Sequence, residues 1–320
     1  MSELPPYATT GQRVWFWSFR FICGLIFIFL ITPILVILPL SFNSQPYFSF
    51  TNEMLSLKPE GYSTRWYWDM LKNGMAAPEA TEGWWADMWQ NAQWVRAVKN
   101  SFLIGIPATL LATALGTLAA VGLSRSEMPY KKLVMSILIS PMIIPLVIIG
   151  ASMFFFFSND FNPVNWFIAG DQPPEDRWQL SFTYAGLILA HAALGTPFVI
   201  ITVTATLTSF DQSLVRAAQS MGAGPVKTFF SVQMPLILPG VISGALFAFI
   251  TSFDEVVVVL QMATAEQRTI PRQMFSGIRE QISPTILAVA TILVIVSILL
   301  LTTVELLRRR SERLRGMSPQ

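Results

Sequence analysis

The chain has 320 residues, of which 53% are hydrophobic and only 12% charged, with a formal net charge of +2 and a mean hydropathy of +0.53. A soluble globule of this length carries about a quarter charged residues, so the composition excludes that class and points to a chain that lives in a membrane. The net charge itself says little; its distribution along the chain says more.

Crossing a hydrocarbon core of about 30 Å as helix takes about 20 predominantly apolar residues. Six stretches meet this: 21–42, 101–123, 133–157, 182–204, 236–258 and 284–306. The expected fold is all-α and polytopic, one transmembrane domain over 1–320 with six spans and both termini cytoplasmic. Neither an internal repeat nor a Ser/Gly-rich linker interrupts it. The first stretch follows Arg13 and Arg20 but is too long for a secretory signal, so it is read as a retained span. The single cysteine, Cys23, lies inside it, which excludes an intrachain disulfide. With the termini inside, Arg125, Lys131 and Lys132 in a short loop and the arginines of the RRRSERLRG tail fall on one side, the positive-inside asymmetry. That tail reads as an anchor beside anionic headgroups or as a contact for a cytoplasmic partner.

Residues 43–98 form an enlarged exterior loop holding Trp66, Trp68, Trp84, Trp85, Trp89 and Trp94, six of the ten tryptophans. Tryptophan combines an apolar ring with an N–H donor and suits the membrane interface, so one reading is a short helix or two lying at the outer surface. Another is a docking surface for an exterior partner or an aromatic wall for a cation.

In the second span Ala108, Ala112, Gly116 and Ala120 fall at i,i+4 spacing, as do Gly240, Gly244 and Ala248 in the fifth; such stripes let helices approach closely in lipid. Pro141 and Pro145 in the third span and Pro197 in the fourth each remove a helix donor and predict kinks. His191 in the fourth span has no ligand or carboxylate at metal or relay spacing and reads as a hydrogen-bonded buried side chain.

A polar segment within 205–235 then separates the fourth and fifth spans. Asp211 precedes apolar positions Leu214, Ala217, Ala218 and Met221 at helical spacing, Gly222 and Gly224 break that helix, and Pro225 starts another. Two short helices presenting small side chains outside the membrane fit a groove on another protein. Past it, Asp254 and Glu255 lie near the outer end of the fifth span, where ionisable groups are rare and face a cavity or a partner. They line a path for a cationic solute, or they pair with Arg268, Arg272 or Arg279 as a structural lock.

The polar segment resembles the EAA loop of ATP-binding-cassette (ABC) importer permeases. Ala217, Ala218, Gly222 and Pro235 match its signature, Val232 and Met234 replace its apolar pair, and Arg216 stands where the family has an acid. SPMIIPLVIIG, SFDEVVVVLQ and TIPRQMFSGIREQISPTILAVATILV look like the second permease subunit of spermidine and putrescine importers, a likeness running from Asn100 to the end. What this implies is a type I import permease in a bacterial inner membrane. It would work with a second permease subunit, two copies of a cytoplasmic ATPase and a periplasmic substrate-binding protein, and Arg216, Ala217, Ala218, Gly222 and Pro235 would couple to the ATPase. The implied solute is a small cation, putrescine or spermidine; an opine, another amino-acid-derived compound or a metal chelate is the alternative.

The chain has no phosphate-cradling GxxxxGK[ST] loop, so ATP and Mg would be held by the partner ATPase, with no cofactor in this chain. No nucleophile triad, zinc spacing or nucleic-acid motif is present, and no catalytic or metal residue is expected. A secondary transporter, the remaining class, would show internal repeats and its own coupling-ion site.

Overall fold

The structure, a computed structural model, describes residues 7–125, 127–159, 162–169, 179–208, 210–280 and 283–314, with Ala169, Glu280, Leu300, Leu301 and 303–314 described by backbone alone. The helices in chain order are α1 (Thr10–Leu40), α2 (Asn52–Leu55), α3 (Arg65–Lys72), α4 (Trp84–Asn91), α5 (Gln93–Ser124), α6 (Lys131–Ile139), α7 (Leu146–Ser158), α8 (Pro163–Ala169), α9 (Tyr184–Thr208), α10 (Ser213–Ser220), α11 (Pro225–Thr228), α12 (Met234–Phe253), α13 (Val257–Met262), α14 (Ile270–Glu280) and α15 (Thr285–Leu314). Among the described residues the only strand-like pairing is one isolated bridge, Asn43 with Tyr62. Among the described residues four helical stretches are long and apolar enough to cross a membrane, namely α1, α5, α9 and Pro225–Phe253; the bent pair formed by α6 and the helices after it makes up to five. The apolar part of α15 described with side chains is Thr285–Leu299.

The chain divides into two compact units, one of Met1–Gly74 with Gly277–Gln320 and the other of Met75–Ser276. In the first, α1 opens on a capping box: the Gln12 N–H donates to Thr9 Oγ1 at 3.3 Å and the Thr9 N–H to Gln12 Oε1 at 2.9 Å, which satisfies helix-end donors reciprocally. The segment that follows α1 folds back on the C-terminal end of that helix. Tyr67 Oη lies 2.7 Å from Ser41 Oγ, Trp66 Nε1 donates to the Asn43 carbonyl at 2.7 Å, and the Phe42 and Tyr67 rings sit 5.1 Å apart. Asp69 Oδ2 accepts the hydroxyl of Thr285, the first residue of α15. The basic tail expected as a membrane anchor has its side chains outside the described residues.

In the second unit the core is the packing of α5, α9 and α12 against one another. Small residues make it possible. The stripe of Ala108, Ala112, Gly116 and Ala120 on α5 is buried, as are Gly240, Gly244 and Ala248 on α12. A methyl group added to Gly116 would come 2.6 Å from Val199 Cβ, one on Gly195 would come 2.9 Å from Ala248 Cβ, and one on Gly244 would come 2.8 Å from Val199 Cα. Lipid gives little apolar driving force, so this close approach supplies the dispersion contact that holds helices together there. His191 is buried between α9 and α12, its Nδ1 2.8 Å from Ser252 Oγ, as its lone placement in the sequence suggested.

One expectation of a simple kink needs correcting. The third stretch is no gently bent helix: α6 ends in a 3₁₀ turn at Ser140–Met142 and α7 restarts after Pro145, so the helix is broken there. Two prolines four residues apart remove two ladder donors within about one helical turn, so the ladder stops instead of curving. Pro197 lies inside α9, which runs from Tyr184 to Thr208.

Candidate functional site

Between α9 and α12 the chain builds a compact turned element. Asp211 Oδ1 accepts the Ser213 N–H at 2.8 Å and tethers the start of α10. The hydrogen bonds from Ser213 hold the Asp211 carboxyl below its ordinary range, so it stays ionised next to the positive end of the helix. At the other end, Gly222 has φ +85, the Gly222 N–H bonds to the Gln219 carbonyl at 2.9 Å and the Ala223 N–H reaches back to the Ala218 carbonyl at 3.1 Å. That pair is a Schellman motif, which needs a left-handed residue and therefore favours glycine. No atom lies within 4 Å of a Cβ added at Gly222, so the constraint there is the backbone angle alone. Pro225 then opens α11 at a position where a missing N–H costs nothing, and a single π turn, Phe229–Gln233, carries the chain into α12.

This element is only partly packed. Ala218 and Thr228 are buried, and α10 rests on α11 and the π turn. Met221, Val226 and Phe230 are 83%, 69% and 62% exposed, and Leu214 and Ala217 are exposed too. Leu214, Ala217 and Met221 recur at i, i+3 and i+7, so α10 carries an uncovered apolar stripe beside its buried Ala218. Arg216 is exposed and sits next to that stripe. Pro235 lies in the first turn of α12, also exposed.

At the other end of α12 the helix stops at Phe253, and the next three residues form a break before α13. Asp254 is exposed at the C-cap. Glu255 is only 5% exposed, and its Oε1 accepts the Val258 N–H at 2.6 Å, so its carboxylate closes the N-terminal end of α13. Of the arginines expected as its partners, two bond to other groups: Arg272 Nη1 donates to the Ala263 and Thr264 carbonyls at 3.0 and 2.8 Å, and Arg268 Nη1 to Gln273 Oε1 at 3.4 Å. Burial and the nearby Arg268 charge lower the Arg272 pKa. The structural role of Glu255 is thus toward backbone N–H groups, a role hidden in sequence because a cap is recognised only once the helix start is known. The π turn was also invisible beforehand. Among the described residues no group of three or more His, Cys, Asp or Glu side chains is arranged to hold a metal.

The turned element and the two carboxylates therefore sit at opposite ends of a single helix. Its 20 residues span about 30 Å at 1.5 Å per residue, the thickness of a bilayer core. Residues 112–315, which take in both ends and the whole turned element, match the family model of the binding-protein-dependent transport system inner membrane component. The chain belongs to that family. It is 30% identical over 269 residues to the putrescine transport system permease protein PotI of Escherichia coli (strain K12), a match covering 84% of this chain and 82% of that one. It is 26% identical over 286 residues to the spermidine/putrescine transport system permease protein PotC of Haemophilus influenzae, covering 89% and 94%. Among solved structures, a bacterial ABC transporter involved in the import of the acidic polysaccharide alginate superposes with a TM-score of 0.63 at 15% identity, covering 94% of this chain and 98% of that one. This binding-protein-dependent component is an all-α, multi-pass inner-membrane permease subunit with the type I importer fold, and a transport component instead of an enzyme.

Proposed function

We propose that the chain is the membrane-spanning permease subunit through which an ABC importer passes a small cationic solute, putrescine or spermidine, from periplasm to cytoplasm by alternating access. The observation that carries this reading is the α10–Gly222–α11 element, whose apolar side chains are left uncovered outside the α5–α9–α12 core. An exposed apolar stripe on a short helix is a docking face, and ATPase subunits holding ATP and Mg are the partner that it fits. The names of the relatives support the solute. Six spans with cytoplasmic termini, a second permease subunit, two ATPase copies and a periplasmic binding protein complete the reading. The positive-inside bases support a cytoplasmic position for the coupling element.

Force applied to α10 and α11 passes through the π turn into α12, which is locked to α5 and α9 by glycine contacts and so moves them together. A two-state pore biased by ATP at one end and by loaded binding protein at the other follows. Of the two carboxylates, the exposed Asp254 is placed to meet a cation, while Glu255 shapes the break that presents it. The polyamine reading and its alternative, an opine, another amino-acid-derived solute or a metal chelate, differ in how much they need that charge.

The test is uptake of labelled putrescine into liposomes holding the complete transporter with its binding protein. Uptake is expected to require ATP and stop with vanadate, and Asp254→Asn to lower it about tenfold, as loss of about 1.4 kcal/mol of attraction along the path implies. Glu255→Gln, which keeps an acceptor oxygen for the Val258 N–H, is expected to assemble normally. Vanadate-insensitive uptake would overturn the ABC reading. Normal putrescine uptake by Asp254→Asn would overturn the role given to that carboxylate.

A further inference from the structure

The segment that leads into α5 ends in α4, a helix of 8 residues with two unlike faces. Asp87 and Asn91 hold the polar one: Asp87 accepts the Ala76 and Ala77 N–H groups at 3.1 and 2.8 Å and the Asn91 amide at 2.7 Å. The helical repeat puts Trp85 and Trp89 on the opposite face, where they are 74% and 58% exposed. Trp84 lies between the two faces. Its Nε1 donates to the Pro78 carbonyl at 3.2 Å, and its ring meets that of Trp85 edge-on at 4.9 Å. Among the described residues the indole N–H groups of Trp85 and Trp89 have no hydrogen-bond partner.

The depth of this helix is set by α5. Ala92, with ψ 121, breaks the helix between them, and two bases of α5 reach back across the break. Arg96 Nη2 donates to the Gln90 carbonyl at 2.8 Å and Lys99 Nζ to the Trp89 carbonyl. Continuous helix would set Trp89 about 15 Å along the axis from Lys99, beyond the reach of a lysine side chain. The chain therefore turns sharply at Ala92 and brings the C-terminal end of α4 against the first turns of α5. The Lys99 ammonium lies 4.7 Å from the centre of the Trp89 ring. On the Lys99 face of α5, Leu103, Ile106 and Leu110 follow at i+4, i+7 and i+11, and all three are exposed. Lys99 thus heads an uncovered apolar stripe on a helix long and apolar enough to cross the membrane, and Trp89 sits at the head of that stripe. Headgroups begin where such a stripe ends, the depth at which lysine snorkels and tryptophan is enriched. Exposed indoles with unmet N–H groups fit a layer that offers acyl chains and oxygen acceptors together, which ester-linked lipid does.

We infer that Trp85 and Trp89 dock α4 onto the membrane surface at the N-terminal end of α5, with their rings among the upper acyl chains and their N–H groups toward the ester and phosphate oxygens of phospholipid. The docked helix holds the start of α5 at headgroup depth. The experiment measures depth by spin labelling of the assembled transporter in phospholipid liposomes. Cys23→Ala leaves a single thiol in each of Trp85→Cys, Trp89→Cys and Leu110→Cys, the last as the hydrocarbon reference. Nitroxides at 85 and 89 should collide with oxygen more than with a water-soluble nickel chelate, by a smaller margin than at 110. A second measurement keeps both positions aromatic: the emission that the native chain has and Trp85→Phe/Trp89→Phe lacks should be quenched by lipids brominated near the ester end of the chain, and less by lipids brominated near the methyl end.

Nitroxides that meet the nickel chelate more than oxygen at both positions would put the tryptophan face in water and overturn the inference. Labels shielded from both reagents would overturn it too, by showing that a protein subunit covers the face. Where a cysteine variant does not assemble, the fluorescence decides: emission from the two tryptophans that lipid bromine leaves unquenched would equally rule the docking out.

Discussion

At the scale of single residues, the glycines of α5 separate two physical roles that look identical in sequence. Gly116 faces Val199 so closely that an added Cβ would lie 2.6 Å from the valine Cβ and 3.1 Å from the Thr196 carbonyl oxygen. Gly122, six residues on in the same helix, has nothing within 4 Å of such a Cβ. Gly116→Ala must therefore push α5 and α9 apart, at a cost of about 1–3 kcal/mol. Gly122→Ala gains about 0.5–1 kcal/mol by restricting the backbone of the non-native chain. Thermal unfolding of the detergent-purified transporter should show a lower midpoint for the first and an equal or higher one for the second. Equal effects of the two would sink the argument that α5 is positioned by its glycine stripe. That stripe was legible from the i,i+4 spacing of Ala108, Ala112, Gly116 and Ala120, because lipid selects for small residues at helix contacts. The role of Glu255 was not legible: which N–H groups are left without a partner depends on where α13 starts, and tertiary packing decides that.

At the scale of elements, the coupling segment divides in the same way. Its two-helix form followed from Gly222, Gly224 and Pro225, since turn chemistry is local and needs no knowledge of neighbours. The π turn after Thr228 and the break between α6 and α7 depend on what packs around the chain, and proline positions alone hinted only at the second. Asp211 and Gly222 fix the two ends of α10, leaving the helix rigid between a side-chain tether and a Schellman turn. Putting a Cβ on Gly222 at φ +85 costs about 1–2 kcal/mol, with no steric clash to add. Gly222→Ala should accordingly leave the transporter assembled but loosen the end of α10. The ratio of solute moved to ATP hydrolysed should then fall severalfold. A bulkier side chain at the same position should not do much worse, because the surrounding space is open. Measuring uptake and hydrolysis in the same liposomes checks this; a variant with an unchanged ratio would show that the angle at Gly222 is immaterial to coupling.

For the whole molecule, the apolar spacing in the sequence located the long helices because hydrocarbon imposes a length and a composition on any segment that crosses it. The division into two compact units left no mark in composition, since both are equally apolar and no linker separates them. What ties these parts into one machine is sidedness. If α12 joins a coupling element on the cytoplasmic face to carboxylates near the outer face, residues of α10 and residues of the exterior segment must be reached from opposite sides of the membrane. The sequence makes this directly testable because Cys23 is its only cysteine and Cys23→Ala removes every native thiol. Two exposed serines then serve as reporters, Ser56 at the end of α2 and Ser220 at the end of α10. In intact cells with a permeable outer membrane, an impermeant maleimide should label Ser56→Cys. It should label Ser220→Cys only after the inner membrane is opened. The opposite pattern would invert the orientation argued from Arg125, Lys131 and Lys132 and remove α10 from the compartment where ATP is hydrolysed. Labelling of both positions in intact cells would put α10 on the same side as Ser56, away from the compartment where ATP is hydrolysed, and the proposed push of an ATPase on α10 and α12 would fail with it.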